Sequence, residues 1–520
     1  MKMNKLNRVF KLSVLFLLLA IFSFLTVQTE AAITQLPNQN QAPKMITMSL
    51  YGDSSQMAFN YNTDWHTDTV LQVVEATSNF QSSTMMEFKG TTTKSLVTND
   101  GFIHRVVASG LKENTKYIYR LGDKELDNWS DVGSFTTANN SNSFSFVHLS
   151  DPQGYEEIHY DNYNEVLSNI YHQINPNFLA LTGDIVNDSS RGGSPNLTQW
   201  HWALTSQKEY LQNMPVMATA GNHDASDYDF YSRFNYNIPS DIDTTYGVYY
   251  SFDYNNAHFT VLNTNDSNSE VGSLEGLSNN QIQWLIADLA ANQEKTFKIV
   301  LMHKGIYDAG GHASDMEGAD GDIELIRQQL TPIFTKYGVD LVLQGHDHLY
   351  SRSYPVVGFN EDGTTLAEKN NVKVSKVLND NTYQLYNDPD GVIYLNSGTA
   401  SGSKYYGVVS YDATIIPIEI ADSSSERMFT EIEIIDNELY ATVYKLKNKR
   451  LYVFDTFGIS KAINNGSGSF DDTIKVNQED DSNNLVYFIV GGILGVTALG
   501  LSIYLIIKKK RGNNRWKILF

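Results

Sequence analysis

The sequence predicts a mixed α/β fold of two sheets flanked by helices, preceded by an all-β sandwich and followed by a C-terminal transmembrane helix. Three observations predict it. Short alternating apolar runs without helical period fill 43–138; strands alternate with helical segments from 142 and give way to strands alone towards 458; and 485–507 carries no charge. At 520 residues the chain is longer than one core of about 250–300 residues supports. With 41% hydrophobic and 12% aromatic residues it is not a largely disordered chain. The absence of cysteine excludes a disulfide framework, thiolate metal sites and thiol catalysis. A net charge of −21 argues against a basic nucleic-acid-binding surface. The two ends hold ten of the 38 basic residues and one of the 59 acidic ones, so the stretch between them is more acidic still.

Taken in order, 1–31 reads as a signal peptide: Lys2, Lys5, Arg8 and Lys11, an uncharged apolar run over 12–27, then Thr29-Glu30-Ala31 as a small-x-small cleavage signal. A disordered leader follows to 41. The runs 45–50, 56–61, 69–74, 104–108, 110–120 and 133–137 form most of a sandwich of roughly seven strands over 43–138. Its 111–119 stretch and closing Phe135-Thr136-Thr137 resemble a fibronectin type III-like domain. The domain over 142–458 starts with a strand at 144–149, a helix at 162–174, a strand at 178–181 and a helix at 198–211. Strands at 216–219, 249–253 and 258–263 precede a helix at 281–291, a strand at 298–302, a helix at 323–336 and a strand at 339–343. The runs 392–395, 415–420, 429–435 and 439–444 are β-rich, and 359–390, rich in Asn and Asp, reads as a surface insertion. Gly, Ser, Asn and Asp make 459–484 a flexible stalk. At 1.5 Å per residue, 485–507 spans roughly 34 Å, enough for a membrane core. The basic tail 508–520 opens with Lys508-Lys509-Lys510-Arg511, which places it on the cytoplasmic side. The expectation is a single-pass cell-membrane protein with an extracellular N-terminal ectodomain.

Five short motifs follow predicted strands, where α/β folds place their ligands. They are Ser150-Asp151-Pro152-Gln153, Gly183-Asp184-Ile185-Val186-Asn187, Gly221-Asn222-His223-Asp224, Met302-His303-Lys304 and Gly345-His346-Asp347-His348. In each, an apolar strand is followed at once by oxygen or imidazole donors. Asn-His and Gly-Asp pairs are also ordinary turn chemistry, but five in series at strand ends are hard to explain as turns. No Walker-type loop and no Gly-x-Ser-x-Gly elbow is present.

The order of these motifs resembles the calcineurin-like metallophosphoesterases, and within them the purple acid phosphatases. The run from Gly345 through Tyr350-Ser351-Arg352-Ser353-Tyr354-Pro355, and a fibronectin-like domain ahead of the enzyme, carry the second likeness, which covers about 43–458. The resemblance implies a site of two metal ions, with Asp184 bridging both. Asp151 and His348 would hold the first ion, and Asn222, His303 and His346 the second. Carboxylate, carboxamide and imidazole donors suit Fe, Mn or Zn, with no organic cofactor. Two cations about 3.5–4 Å apart can deprotonate a bridging water and neutralise a phosphoryl group, so in-line attack by that hydroxide on a phosphoester substrate is the implied reaction. His223 resembles the family's substrate-facing histidine, a candidate acid for the leaving group, and His312 resembles a second one.

Two positions depart from the pattern. Asn187 stands where purple enzymes carry the tyrosine that colours a ferric ion, so no purple chromophore is expected. Gln153 replaces the histidine of the wider superfamily or the glycine of the purple branch; its carboxamide is either a weak ligand or a contact to bound water. Asp224 is expected to orient His223 or cap the next turn, Trp200-His201-Trp202 to pack, His148 and His159 to be structural, and Lys304 to be a solvated loop residue. The 396–400 segment resembles a loop bordering the family's site. The function expected is an extracellular, membrane-anchored phosphatase acting on phosphomonoesters. The alternatives are a phosphodiesterase acting on nucleotides or lipid headgroups, and a surface binding or adhesion protein on a degenerate phosphatase core.

Overall fold

The computed structural model describes residues 42–139, 141–188, 196–226, 228–266, 276–314 and 322–462, with two short strands, Ile506–Lys508 and Lys517–Leu519. In the N-terminal domain, Lys44–Leu50, Met57–Thr63, Phe102–Ala108 and Thr91–Lys94 form one sheet. Met86–Lys89, Val70–Glu75, Lys116–Asp123 and Asn128–Trp129 form the other, with Gly133–Thr136 also paired to Lys116–Asp123. Alternation points Phe59, Tyr61, Leu71, Val73, Tyr119 and Phe135 into one shared core. Thr91–Lys94 and Asn128–Trp129 have no apolar alternation, and their strand identity comes from their neighbours.

The second domain stacks two sheets face to face. One has eight strands in the order Val216–Ala218, Phe178–Leu181, Ser143–Leu149, Arg427–Ile435, Glu438–Lys447, Arg450–Ser460, Asn381–Asn387 and Lys373–Leu378. The other has seven: Tyr250–Tyr254, Ala257–Val261, Phe297–Lys304, Leu341–Gly345, Ile393–Ser397, Tyr350–Ser353 and Ile418–Asp422. Side chains of both sheets fill the core between them, where Phe146 and Phe259 meet edge to face at 5.3 Å. Leu285 and Leu289 of the helix Asn279–Ala291, with Ile326 and Leu330 of Asp322–Lys336, cover the outer face of the seven-stranded sheet. The strands Ser143–Leu149, Phe178–Leu181 and Val216–Ala218 run parallel, as do Phe297–Lys304, Leu341–Gly345 and Ile393–Ser397. All five motifs lie at the carboxyl ends of these strands, so both sheets deliver side chains to one rim.

Several elements differ from the sequence reading. The first helix spans Glu157–Asn169, earlier than expected, and finishes in a π turn, Ile170–Ile174, closed by left-handed Asn175. The single helix expected at 198–211 is three pieces, Leu197–Trp200, the π turn His201–Thr205 and Lys208–Leu211. Gln207 explains the break: its amide donates to the Trp202 carbonyl at 3.0 Å, occupying an acceptor that a continuous helix would use. The 359–390 segment is not a detached insertion, because Asn381–Asn387 pairs with Arg450–Ser460 and buries Tyr383 and Leu385.

The domains share a buried seam. Met45 reaches into the second domain's core. Arg233, fully buried, pairs with Asp100 of the N-terminal domain at 2.9 Å and with Asp229 at 2.7 Å. Thr47 donates to the Arg233 carbonyl at 2.6 Å and Asn60 to that of Ser232 at 3.2 Å. The expected signal peptide and residues 485–505 lie outside the described residues, as does the stalk after 462. No helix among the described residues is long and apolar enough to cross a membrane. Ile506 and Ile507, expected to end such a helix, form a strand paired with Ile518 and Leu519, in keeping with the strand preference of β-branched isoleucine.

Candidate metal centre

The motif loops leave their strands abruptly. Asp151, Asp184 and His346 have left-handed backbone, with φ of 48°, 49° and 75°. For non-glycine residues this is costly and persists only where surroundings enforce it. Here they do: Gly345 lies so close that a Cβ would stand 2.1 Å from Ser150 Oγ, and one on Gly221 would stand 2.1 Å from Asp184 Oδ1. The Asp224 carboxylate ties the second and third motifs by accepting the amides of Gly221, Ile185 and Val186. It makes no such bond to His223, so its place is in the loop scaffold. Burial, and then the charge of Asp184, push its pKa up to about 8.

Two groups of buried side chains converge on this rim. Asp184, His303 and His346 form one; Asp151, Asp184 and His348 the other; within each, the candidate ligand atoms lie within 4.8 Å of one another. Asp184 belongs to both. Its Oδ1 is 3.4 Å from His303 Nε2, and its Oδ2 accepts from Gln153 Nε2 at 2.9 Å. Asn222 Oδ1 is 3.0 Å from His303 Nε2, completing four donors around the first group.

The residues fit cations on tautomer and satisfaction grounds. His303 Nδ1 donates to the Thr182 carbonyl at 2.8 Å and His348 Nδ1 to that of Lys404 at 3.3 Å, which turns both Nε2 lone pairs inward. His303 Nε2 then faces two oxygen acceptors, and a positive species is needed between them. Without an ion a proton serves: burial would lower the His303 pKa, but Asp184 beside it pushes it up to about 9. Burial would raise Asp184, yet His303 and then His223 hold it well below the usual carboxylate range. Asp151 Oδ1 is buried, accepts no hydrogen bond among the described residues, and stands 3.4 Å from His348 Nε2.

Every predicted site residue reaches this rim. His223 Nδ1 donates to the Asn187 carbonyl, its backbone amide to Asp184 Oδ1 at 2.9 Å, and its Nε2 lies 4.0 Å from Asp184 Oδ2. Burial lowers its pKa. The His312 ring packs on that of His346 at 4.2 Å between centroids. Gln153 turns its amide nitrogen toward Asp184 and toward His348 Nε2 at 3.1 Å, while its Oε1 accepts from Lys404 Nζ at 3.1 Å. Its carboxamide therefore faces the ligand atoms as a donor.

Residues 144–350 match the calcineurin-like phosphoesterase family and 43–137 the purple acid phosphatase N-terminal domain. The chain carries a calcineurin-like phosphoesterase domain behind a purple acid phosphatase N-terminal domain. Acid phosphatase type 7 of Danio rerio is 24% identical over 385 residues, 69% of this chain and 78% of the relative. Purple acid phosphatase 15 of Arabidopsis thaliana is 24% identical over 291 residues, 50% of this chain and 51% of the relative. The purple acid phosphatase PPD1 from yellow lupin (Lupinus luteus) seeds shares the fold with a TM-score of 0.63 at 16% identity, over 81% of this chain and 75% of that one. PhoD does so with 0.59 at 13% identity, over 82% and 92%. The family matches and relatives support a metal-dependent phosphoester hydrolase.

Other residues of the phosphoesterase domain take scaffold places. His148 is buried between Thr182 and Ser397, and burial pulls its pKa down to about 3. His159 closes a capping box with Glu156. Trp200 is buried beneath Arg233. Lys304, expected in solvent, instead pairs with Asp322 and is mostly buried, because the helix Asp322–Lys336 begins beside it. The sequence reading missed the continuation of the 396–400 loop. Thr399 donates to the Asp151 carbonyl, Ser401 and Ser403 to that of Gln153, and Tyr406 stacks on His348 at 4.6 Å. Its one signal was its position, a small-residue run after a parallel strand.

Proposed function

We propose that this protein is a dinuclear-metal phosphatase that hydrolyses phosphomonoesters, held outside the cell by a C-terminal membrane anchor. The sharing of Asp184 between two ligand groups carries the reading, because a carboxylate common to both groups could serve two neighbouring ions at once. Asp151, Asp184 and His348 would hold one ion, and Asp184, Asn222, His303 and His346 the other, from Fe, Mn or Zn. When bound, such ions neutralise phosphoryl charge and lower the pKa of bound water. The chain's own residues do the rest. The Asn187 carbonyl orients His223 through Nδ1, leaving Nε2 facing the site, so the protonated ring can give its Nε2 proton to the leaving oxygen. His312 walls the site beside His346. The anchor is supported by the uncharged 485–507 stretch and the basic run after it.

Elemental analysis of the purified protein, paired with chromogenic mono- and diesters, tests the reading. Two ions per chain and turnover of the monoester are expected. Fewer than one bound ion, with no turnover after added Mn or Zn, would overturn it. Truncation after 484 should move the protein from the membrane fraction to the medium; retention in the membrane would refute the anchor.

A further inference from the structure

The 399–411 loop brings a cation to the rim. Its backbone is fixed at several points: Thr399 Oγ1 to the Asp151 carbonyl at 2.9 Å, Ser401 Oγ to that of Gln153 at 2.8 Å, the Tyr406 amide to the His348 carbonyl at 3.1 Å, and the Val409 amide to that of Ala309 at 3.1 Å. Lys404 lies between these anchors. Its Nζ donates to Gln153 Oε1 at 3.1 Å, and Gln153 Nε2 in turn reaches Asp184 Oδ2 at 2.9 Å and His348 Nε2 at 3.1 Å. The ammonium is thus one side chain away from the ligand atoms, and it stands close enough to His223 for their charges to interact.

Lys404 forms no ion pair with a carboxylate among the described residues, and among them only one of its three N–H donors is engaged, by the neutral carboxamide oxygen of Gln153. Lys304, which follows His303, differs in being paired with Asp322. Burial lowers the Lys404 pKa while the Asp184 and Asp151 carboxylates oppose that shift, and a half-buried lysine held by a neutral partner has two donors left for something anionic.

We propose that Lys404 binds a phosphoryl oxygen of the substrate and sets the preference for phosphomonoesters over diesters. This rests on the reading of the site as a phosphatase centre. A monoester offers three unesterified oxygens and up to two negative charges, a diester two and one. An additional fixed cation therefore favours the monoester. Gln153 acts as the strut that aims the ammonium, which gives the departure at that position a use.

The test compares the parent with Lys404→Met and Lys404→Arg, each purified with its metals. Inorganic phosphate is titrated into each loaded protein by calorimetry, metal content is measured, and kcat/KM is determined for a monoester and a diester. Lys404→Met should weaken phosphate binding about ten- to a hundredfold, the range for a lost charge-assisted hydrogen bond. It should lower kcat/KM for the monoester at least about tenfold more than for the diester, with unchanged metal content and melting temperature. Lys404→Arg should recover part of both. Phosphate affinity within about twofold of the parent, equal losses on both esters, or loss of an ion in Lys404→Met would overturn the proposal. Failure of the phosphatase reading would show separately, as a parent protein that neither holds metal nor turns over either ester.

Discussion

At the scale of single residues, Asp184 carries most of the site's chemistry. It belongs to both ligand groups, its backbone is left-handed and its carboxylate is kept ionised by neighbouring imidazoles. Asp184→Asn keeps the shape and removes the charge. Turnover should fall at least about a hundredfold, with bound metal reduced and far-UV circular dichroism unchanged; retained turnover would refute the assigned centre. His223→Ala should cost about a hundredfold or more on alkyl phosphates, whose leaving oxygens need a proton, and much less on nitrophenyl phosphate. Equal losses would show that His223 is not the acid. These residues were legible because each follows an apolar strand in a fixed order. Lys404 was not: it lies in a loop without period or motif, and only the folding of that loop back over Gln153 reveals it.

Among elements, strands with apolar runs were legible and those built by context were not. Phe178–Leu181 is a buried FLAL run, readable from composition alone. Lys373–Leu378, by contrast, is largely exposed, and becomes a strand by pairing with Asn381–Asn387 at a sheet edge. The junction between the strand Ala257–Val261 and the helix Asn279–Ala291 holds a pH-sensitive contact. His258 meets Asp253 at 2.7 Å through Nδ1 and Asp288 at 2.9 Å through Nε2, a pairing that needs both nitrogens protonated. Burial would lower its pKa, but the two carboxylates push it up to about 8. This exceeds the value of about 6.5 for an unfolded chain. The stabilisation is therefore complete below about pH 6.5 and disappears as pH rises through about 8. His258→Gln should lower the melting temperature most near pH 6, with the deficit shrinking by pH 9. A deficit constant across that range would exclude this origin.

At the scale of the whole molecule, the N-terminal domain is a structural part of the enzyme. Its Asp100 reaches Arg233 on the segment that follows the Asn222-His223 loop, and the pair is fully buried. Removing one partner of a buried pair leaves a desolvated charge. Asp100→Ala should destabilise the protein by about 3 kcal/mol in denaturant titrations, and an effect below about 0.5 kcal/mol would mean that the seam is wet. None of this was visible in the sequence, where Asp100 and Arg233 are 133 residues apart and belong to no motif. The left-handed turns at Asp151, Asp184 and His346 have a kinetic consequence. Their geometry is imposed by Gly221, Gly345 and the Asp224 tether, so the cradle is a preformed receptor and its loading is an encounter between a rigid body and an ion. After chelation the far-UV dichroism should persist, and activity should return at a rate proportional to the concentration of added ion. A slow return independent of that concentration would show that the chain must refold before it can be loaded.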